Sequence, residues 1–263
     1  MLEDTGRFLF GLVETAGRGV VLFLAALREM KHLHRNLDKF IQQAFLCGIA
    51  AIPVVAITGM FSGMVIAAQT GETLRRFGLA ELTLGPIVGG SLLRELGPVL
   101  AAICVAGFVG GGMASVIATM RVNEEIDALE VMSINPIRYL IMPRLAAMML
   151  VLPVLSLFAS LLGIFGGAVV ARYQIGVPYA IYFDNLKWLM AVRDVLFGVI
   201  KAFVFAIIIT VVSCEQGYNA SGGAEGVGLA TMRAVVYSFL LILVANYLLF
   251  SLVFLTLFTW WLK

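Results

Sequence analysis

The stretch Leu145-Ala-Ala-Met-Met-Leu-Val-Leu-Pro-Val-Leu-Ser-Leu-Phe-Ala-Ser-Leu-Leu-Gly-Ile-Phe-Gly-Gly-Ala-Val-Val-Ala171 runs without one Asp, Glu, Lys, Arg or His. A helix needs about 20 predominantly apolar residues to cross the hydrocarbon core of a bilayer, and this stretch is longer. Three more uncharged windows occur, Ala44 to Gln69, Leu96 to Met120 and Ala234 to Leu262, and a fifth, Val195 to Cys214, is broken only by Lys201. In lipid each segment must satisfy its own backbone hydrogen bonds, which at these lengths means helices. The fold class that follows is an all-α membrane protein with five transmembrane helices, at residues 44–69, 90–120, 145–171, 195–214 and 234–262.

Composition agrees. Of 263 residues, 61% are hydrophobic and 13% are charged, more apolar side chains than a water-soluble core of this size could bury. A net charge of +2 lacks the clustered basic stripe that nucleic-acid binding requires, so that partner class is set aside. Cys47, Cys104 and Cys214 are odd in number and have no metal-ligand spacing, and they read as packing residues. His32 and His34 read as a solvated interfacial pair. No metal site is expected.

Arg7 to Leu27 is apolar but interrupted by Glu14, Arg18 and several glycines, and Arg28, Lys31, Arg35 and Lys39 follow it. This pattern predicts an amphipathic helix lying in the interface, within an N-terminal region of residues 1–40 ahead of a membrane domain over 41–263. The acids in Met1-Leu-Glu-Asp do not fit the basic start of a secretory signal, so the N-terminus is expected to be retained. Lys and Arg concentrated before Phe40 place the N-terminus in the cytoplasm, although the remaining loops lean weakly the other way. Five spans then put the C-terminus on the periplasmic side, and the connections Arg121 to Arg144 and Glu215 to Arg233 in the cytoplasm.

No G-x-x-x-x-G-K-[ST] occurs, so nucleotide binding in the P-loop manner is absent from the sequence. The glycine-rich run Gly222 to Gly228 has no preceding strand and no lysine, and reads as a flexible connection. Gly59/Gly63, Gly107/Gly111 and Gly163/Gly167 sit at the spacing that lets helices approach closely, first of all within one bundle.

Two groups of residues carry functional signals. Between Met120 and Tyr139, Asn123 is a candidate N-cap and Glu124 and Glu125 suit a helix N-terminus. Ile126, Leu129 and Met132 then share one side, with Glu124, Asp127 and Glu130 beside them. An ordinary wet loop explains the acids; a docking helix, its apolar ridge in a groove on a soluble partner, explains both faces. The second group is Arg94, Glu95 and Lys201. Intramembrane charges usually face a polar cavity or each other, and a plain Arg94–Glu95 contact with a snorkelling Lys201 is the alternative.

Leu92-Leu-Arg-Glu-Leu-Gly-Pro-Val-Leu100, Arg121-Val-Asn-Glu-Glu-Ile-Asp-Ala-Leu-Glu-Val-Met132 with Asn135-Pro-Ile-Arg138, and Gly217-Tyr-Asn-Ala-Ser-Gly-Gly-Ala-Glu-Gly-Val-Gly228 closely resemble the MlaE/YrbE permeases. The resemblance implies a homodimeric permease of an ABC transporter in the inner membrane. Such a permease moves phospholipid between inner and outer membranes with a cytoplasmic ATPase and a periplasmic MCE-domain lipid-binding protein. It makes Arg121, Glu124, Glu125, Ile126, Asp127, Leu129, Glu130 and Met132 the coupling helix on the ATPase. It also places Arg94, Glu95, Gly97, Pro98, Lys201 and Asn246 about the lipid cavity. ATP and magnesium belong to the partner, and this chain has no catalytic residue or cofactor of its own. The sequence departs from the family pattern at Gly107-Phe-Val-Gly110 and Ser115-Val116, where many members carry an Arg and a Glu, and at Asn246, where an acid is common. A membrane scaffold that recruits lipid-binding proteins without moving lipid is the alternative function.

Overall fold

The structure, a computed structural model, describes residues 17–31 and 36–261. All regular secondary structure among them is helical. Helix α1 covers residues 17–29, followed by α2 (Leu37–Arg76), α3 (Ala80–Ser91), α4 (Gly97–Val105), α5 (Gly111–Val122) and α6 (Glu125–Val131). Next come α7 (Met142–Val170), α8 (Tyr179–Leu189), α9 (Val192–Tyr218) and α10 (Gly223–Trp261). Short π-helical segments at Leu92–Leu96, Ala106–Gly110, Ile137–Ile141 and Ala171–Ile175 join or extend them. Among the described residues, five continuous runs are long and apolar enough to cross a membrane: Leu37–Arg76, Ala80–Val122, Ile137–Ile175, Val192–Tyr218 and Gly223–Leu252. Even the 27 residues of Val192–Tyr218 reach about 40 Å at the α-helical rise, more than the hydrocarbon thickness.

Several expected boundaries move. The second run starts at Ala80 rather than near residue 90, because Arg94 and Glu95 find charge partners and do not end the helix. The fifth starts at Gly223, so the glycine-rich segment is not a flexible connection. Gly222 and Gly223, both at positive φ, make the turn, and the chain winds into α10 so tightly that a Cβ at Gly226 would collide with the Ser221 carbonyl. Asn123 is not an N-cap: α5 persists to Val122, Asn123 closes it, and Glu124 at φ 60° turns the chain into α6. Helix α8, inside the loop expected from Arg172 to Asp194, was not anticipated. Its buried Tyr182 and Leu186 are one helical turn apart, with Lys187 and Trp188 exposed. Of the expected interfacial helix, residues 17–27 are helical; Arg7 through Ala16, including Glu14, and His32, His34 and Arg35 lie outside the described residues.

Contacts divide the chain into two compact units, each drawing on three stretches of sequence. One contains residues up to Cys47, Ala106–Met149 and Ala206–Leu241. Its core joins Ala26, Ile117, Ile126, Leu129, Leu140, Ile141, Leu145 and Cys214. The other contains Gly48–Val105, Leu150–Phe205 and the chain from Ile242. Its core includes Leu84, Val88, Leu92, Ile164, Tyr182 and Leu186. In that second unit the small residues of α2 and α7 touch: a Cβ at Gly63 would collide with the Gly163 backbone, and one at Gly59 would lie 2.6 Å from the Ala159 carbonyl oxygen. Glycine there permits backbone contact that lipid alone would not drive.

Candidate functional site

The second unit carries the charged group. Pro98 has no N–H to offer the carbonyl four residues back, so an unbroken α-helical ladder is impossible there. The chain instead makes a π turn over Leu92–Leu96, in which the Gly97 N–H donates to the Leu92 carbonyl. Ser160 of α7 shares its hydroxyl proton between that carbonyl, at 3.2 Å, and the Ser156 carbonyl, at 2.9 Å. A Cβ at Gly97 would collide with the Ser160 Oγ. Gly97 and Pro98, which the resemblance places about the lipid cavity, are buried residues that shape this turn.

The turn sends its two adjacent charges to different partners. Arg94 Nε lies 2.9 Å from Asp194 Oδ1, and Asp194 also accepts the Ala191 N–H at 3.2 Å, tying the start of α9. Glu95 Oε1 lies 2.5 Å from Lys201 Nζ. The plain Arg94–Glu95 contact is thus replaced by two separate pairs. Lys201 does not snorkel: its side chain is 0% exposed, while that of Glu95 is 30% exposed. A second ammonium N–H donates to Asn246 Oδ1 at 2.9 Å, and the nitrogen sits 4.8 Å from the Phe197 ring centroid and 5.9 Å from that of Phe250. The result is an enclosed cation neutralised by one carboxylate, which is itself the partly open end of the cluster. Arg94, Glu95, Lys201 and Asn246 are brought together with Asp194 in one unit.

The loop between α5 and α6 in the first unit has a different geometry from the expected ridge. Ile126 (0% exposed) and Leu129 (9%) pack into the chain's own core beside Ile117, Leu140 and Leu145. Asp127 pairs with Arg121 at the end of α5, and Glu130 accepts the Tyr218 hydroxyl at 3.0 Å from α9. Ile126 and Leu129 are therefore not free to enter a partner's groove. What remains outward is Met132 with Val131, Ile134 and the carboxylates Glu124 and Glu125. The reason is the αL turn at Glu124, which rotates α6 so that its helix-period ridge faces inward.

The sequence profile of the family described as Permease MlaE matches residues 40–252. The chain belongs to the MlaE permease family. This MlaE-family chain is 40% identical over 252 residues to a probable ABC transporter permease protein of Rickettsia felis, covering 96% of this chain and 97% of that protein. It is 31% identical over 257 residues to the intermembrane phospholipid transport system permease protein MlaE of Haemophilus influenzae, again covering 96% and 97%. The permease is thus matched over both units, and the matched region holds every residue of the polar cluster.

Three features of this permease escaped the sequence reading. Asp194 precedes the window Val195 to Cys214, yet it answers Arg94, and an acid opening an apolar helix is the signal that points to it. Ser160, the residue that completes the π turn, gave no signal in an apolar run. A polar cleft of about 320 Å³ in the first unit also went unseen, because its residues come from α1, the end of α9 and the start of α10.

Proposed function

We propose that this MlaE-family ABC permease moves phospholipid between the inner and outer membranes, with the Lys201 cluster handling the lipid head. The chain sits in the inner membrane with its N-terminus cytoplasmic and its C-terminus periplasmic. A separate cytoplasmic ATPase, which binds ATP and magnesium, drives it, and a periplasmic MCE-domain lipid-binding protein exchanges lipid with it. Two copies form the working unit. The observation that carries the reading is the enclosed Lys201 ammonium, held by Glu95 and Asn246 in helices long enough to span a bilayer. Intramembrane charges of this kind are costly and mark substrate paths. A zwitterionic phosphate ester fits an enclosed cation beside a half-open carboxylate, and the name of the Haemophilus relative, an intermembrane phospholipid transport permease, points to the same cargo. The outward Val131, Met132, Ile134, Glu124 and Glu125 supply the ATPase contact, and Ile126, Leu129 and the Arg121–Asp127 pair brace it from behind.

The test is transfer of a fluorescent phospholipid by the whole complex in proteoliposomes, comparing the wild type with Lys201→Met and with Arg94→Ala/Glu95→Ala. Loss of transfer with the complex intact supports the permease. Transfer at the wild-type rate in both variants would instead leave the chain a scaffold for lipid-binding proteins.

A further inference from the structure

The cleft in the first unit has no part in the lipid-head cluster, all of whose residues belong to the other unit. On α10, Gly226, Leu229, Ala230, Arg233 and Tyr237 line it, a spacing that puts them on one helical face. Arg18 of α1, Glu215 and Gln216 of α9, and Asn219 just after it close the other side.

Charge bookkeeping decides what the cleft accepts. Among the described residues, Glu215 is the single carboxylate lining it. It is buried, and its oxygens already accept from Arg18 Nε at 2.9 Å, from Asn219 Nδ2 at 3.1 Å and from Gln216 Nε2. Its negative charge is answered within the chain. Arg233, by contrast, makes no ion pair or hydrogen bond with any described residue, and the Tyr237 and Ser221 hydroxyls make none either. An exposed guanidinium with no partner among the described residues therefore lines a polar cleft some ten residues into an apolar, span-length helix. Guanidinium recognises phosphate oxygens with paired donors, and two hydroxyls beside it add to the same acceptor set. Beside Arg233 on α10, Met232, Val236 and Leu240 are exposed and apolar, a surface suited to an acyl chain.

We propose that this cleft is a second binding site, for a phosphate-bearing anion held by Arg233, Tyr237 and Ser221, with an anionic lipid headgroup as its source. The one cation left uncompensated among the described residues calls for one net negative charge, and the neighbouring apolar strip of α10 takes the tail.

The test is native mass spectrometry of the full chain with phosphatidylglycerol and, separately, with inorganic phosphate. Wild type, Arg233→Gln, Arg233→Lys and Tyr237→Phe are compared, with circular dichroism melting to establish that each is folded. Arg233→Gln is expected to lower phosphatidylglycerol occupancy about tenfold, the scale of one charge-assisted hydrogen bond. Arg233→Lys restores most of it, and Tyr237→Phe gives a smaller loss. Arg233-dependent binding of inorganic phosphate at comparable strength keeps the site and assigns its source to free phosphate. Equal occupancy of both ligands in folded wild type and Arg233→Gln overturns the proposal.

Discussion

Glu95→Gln is predicted to cost more stability than Lys201→Met, because the two ends of the pair differ in access to water. Lys201 is 0% exposed and Glu95 30% exposed. Replacing Glu95 by Gln keeps a neutral acceptor but removes the counter-charge, leaving the ammonium with the Gln carbonyl, Asn246 and two aromatic rings, and uncompensated buried charge costs about 3 kcal/mol at the low end of its range. Replacing Lys201 strands a carboxylate that can hydrate through its open side, a cost of about 1 kcal/mol once solvent screening is allowed for. The double variant Glu95→Gln/Lys201→Met removes both charges and should return to about 1 kcal/mol below wild type, since isosteric removal of a buried pair is close to neutral. The three values imply a coupling of about 3 kcal/mol, at the upper end for residues in contact. The assay is reversible unfolding of the full chain in mixed micelles by titration with a denaturing detergent, read by far-ultraviolet circular dichroism. Equal losses for the two single variants, or a double variant whose loss is their sum, would refute the asymmetry and with it the view that Lys201 is held rather than solvated. Lipid transfer should remain absent in the double variant although stability recovers.

The neighbouring features give sharper contrasts. Ile126→Ala should lower stability by about 2–5 kcal/mol, as for other fully enclosed aliphatic side chains, measured by the same unfolding titration. Val131→Ser/Met132→Ser should change stability by less than about 0.5 kcal/mol yet reduce ATP turnover of the assembled complex, because both side chains are exposed. Gly97→Ala should destabilise by about 1–3 kcal/mol through its clash with Ser160, and adding Ser160→Ala should recover part of that loss. Gly63→Ala should lower the unfolding midpoint more than Gly107→Ala, since a Cβ at Gly63 meets backbone whereas one at Gly107 meets only the Phe239 ring at 3.7 Å.

How much of this was legible depends on whether a property is local. Uncharged length is local, and it located all five crossing helices. Their ends were harder to read, because a charged residue ends an apolar window in sequence but not a helix in space. Arg94 and Glu95 sit inside a continuous helical run since their partners, Asp194 and Lys201, arrive from α9 about a hundred residues later. The glycine run at the start of α10 misled for a related reason. Gly222 and Gly223 do turn, but Gly226 serves close packing, and composition alone does not separate the two roles. At α6 the periodicity of Ile126, Leu129 and Met132 correctly marked an apolar face. Period shows that a face is covered, and only the turn at Glu124 shows that the chain covers Ile126 and Leu129 itself.

The adjacency of Arg94 and Glu95 carries the remaining step. Consecutive residues on a helix do not face each other, so a neighbouring Arg and Glu form a pair least readily with one another. The π turn just before Pro98 keeps them apart, one on Asp194 and one on Lys201. Each pair has one enclosed member, Asp194 or Lys201, and one that reaches toward the open, Arg94 or Glu95. A group bearing both charges, as a zwitterionic lipid head does, could therefore exchange with either open member while the enclosed one holds its place. A single Arg94–Glu95 contact would offer no such exchange, because the two charges would be lost to an incoming head together.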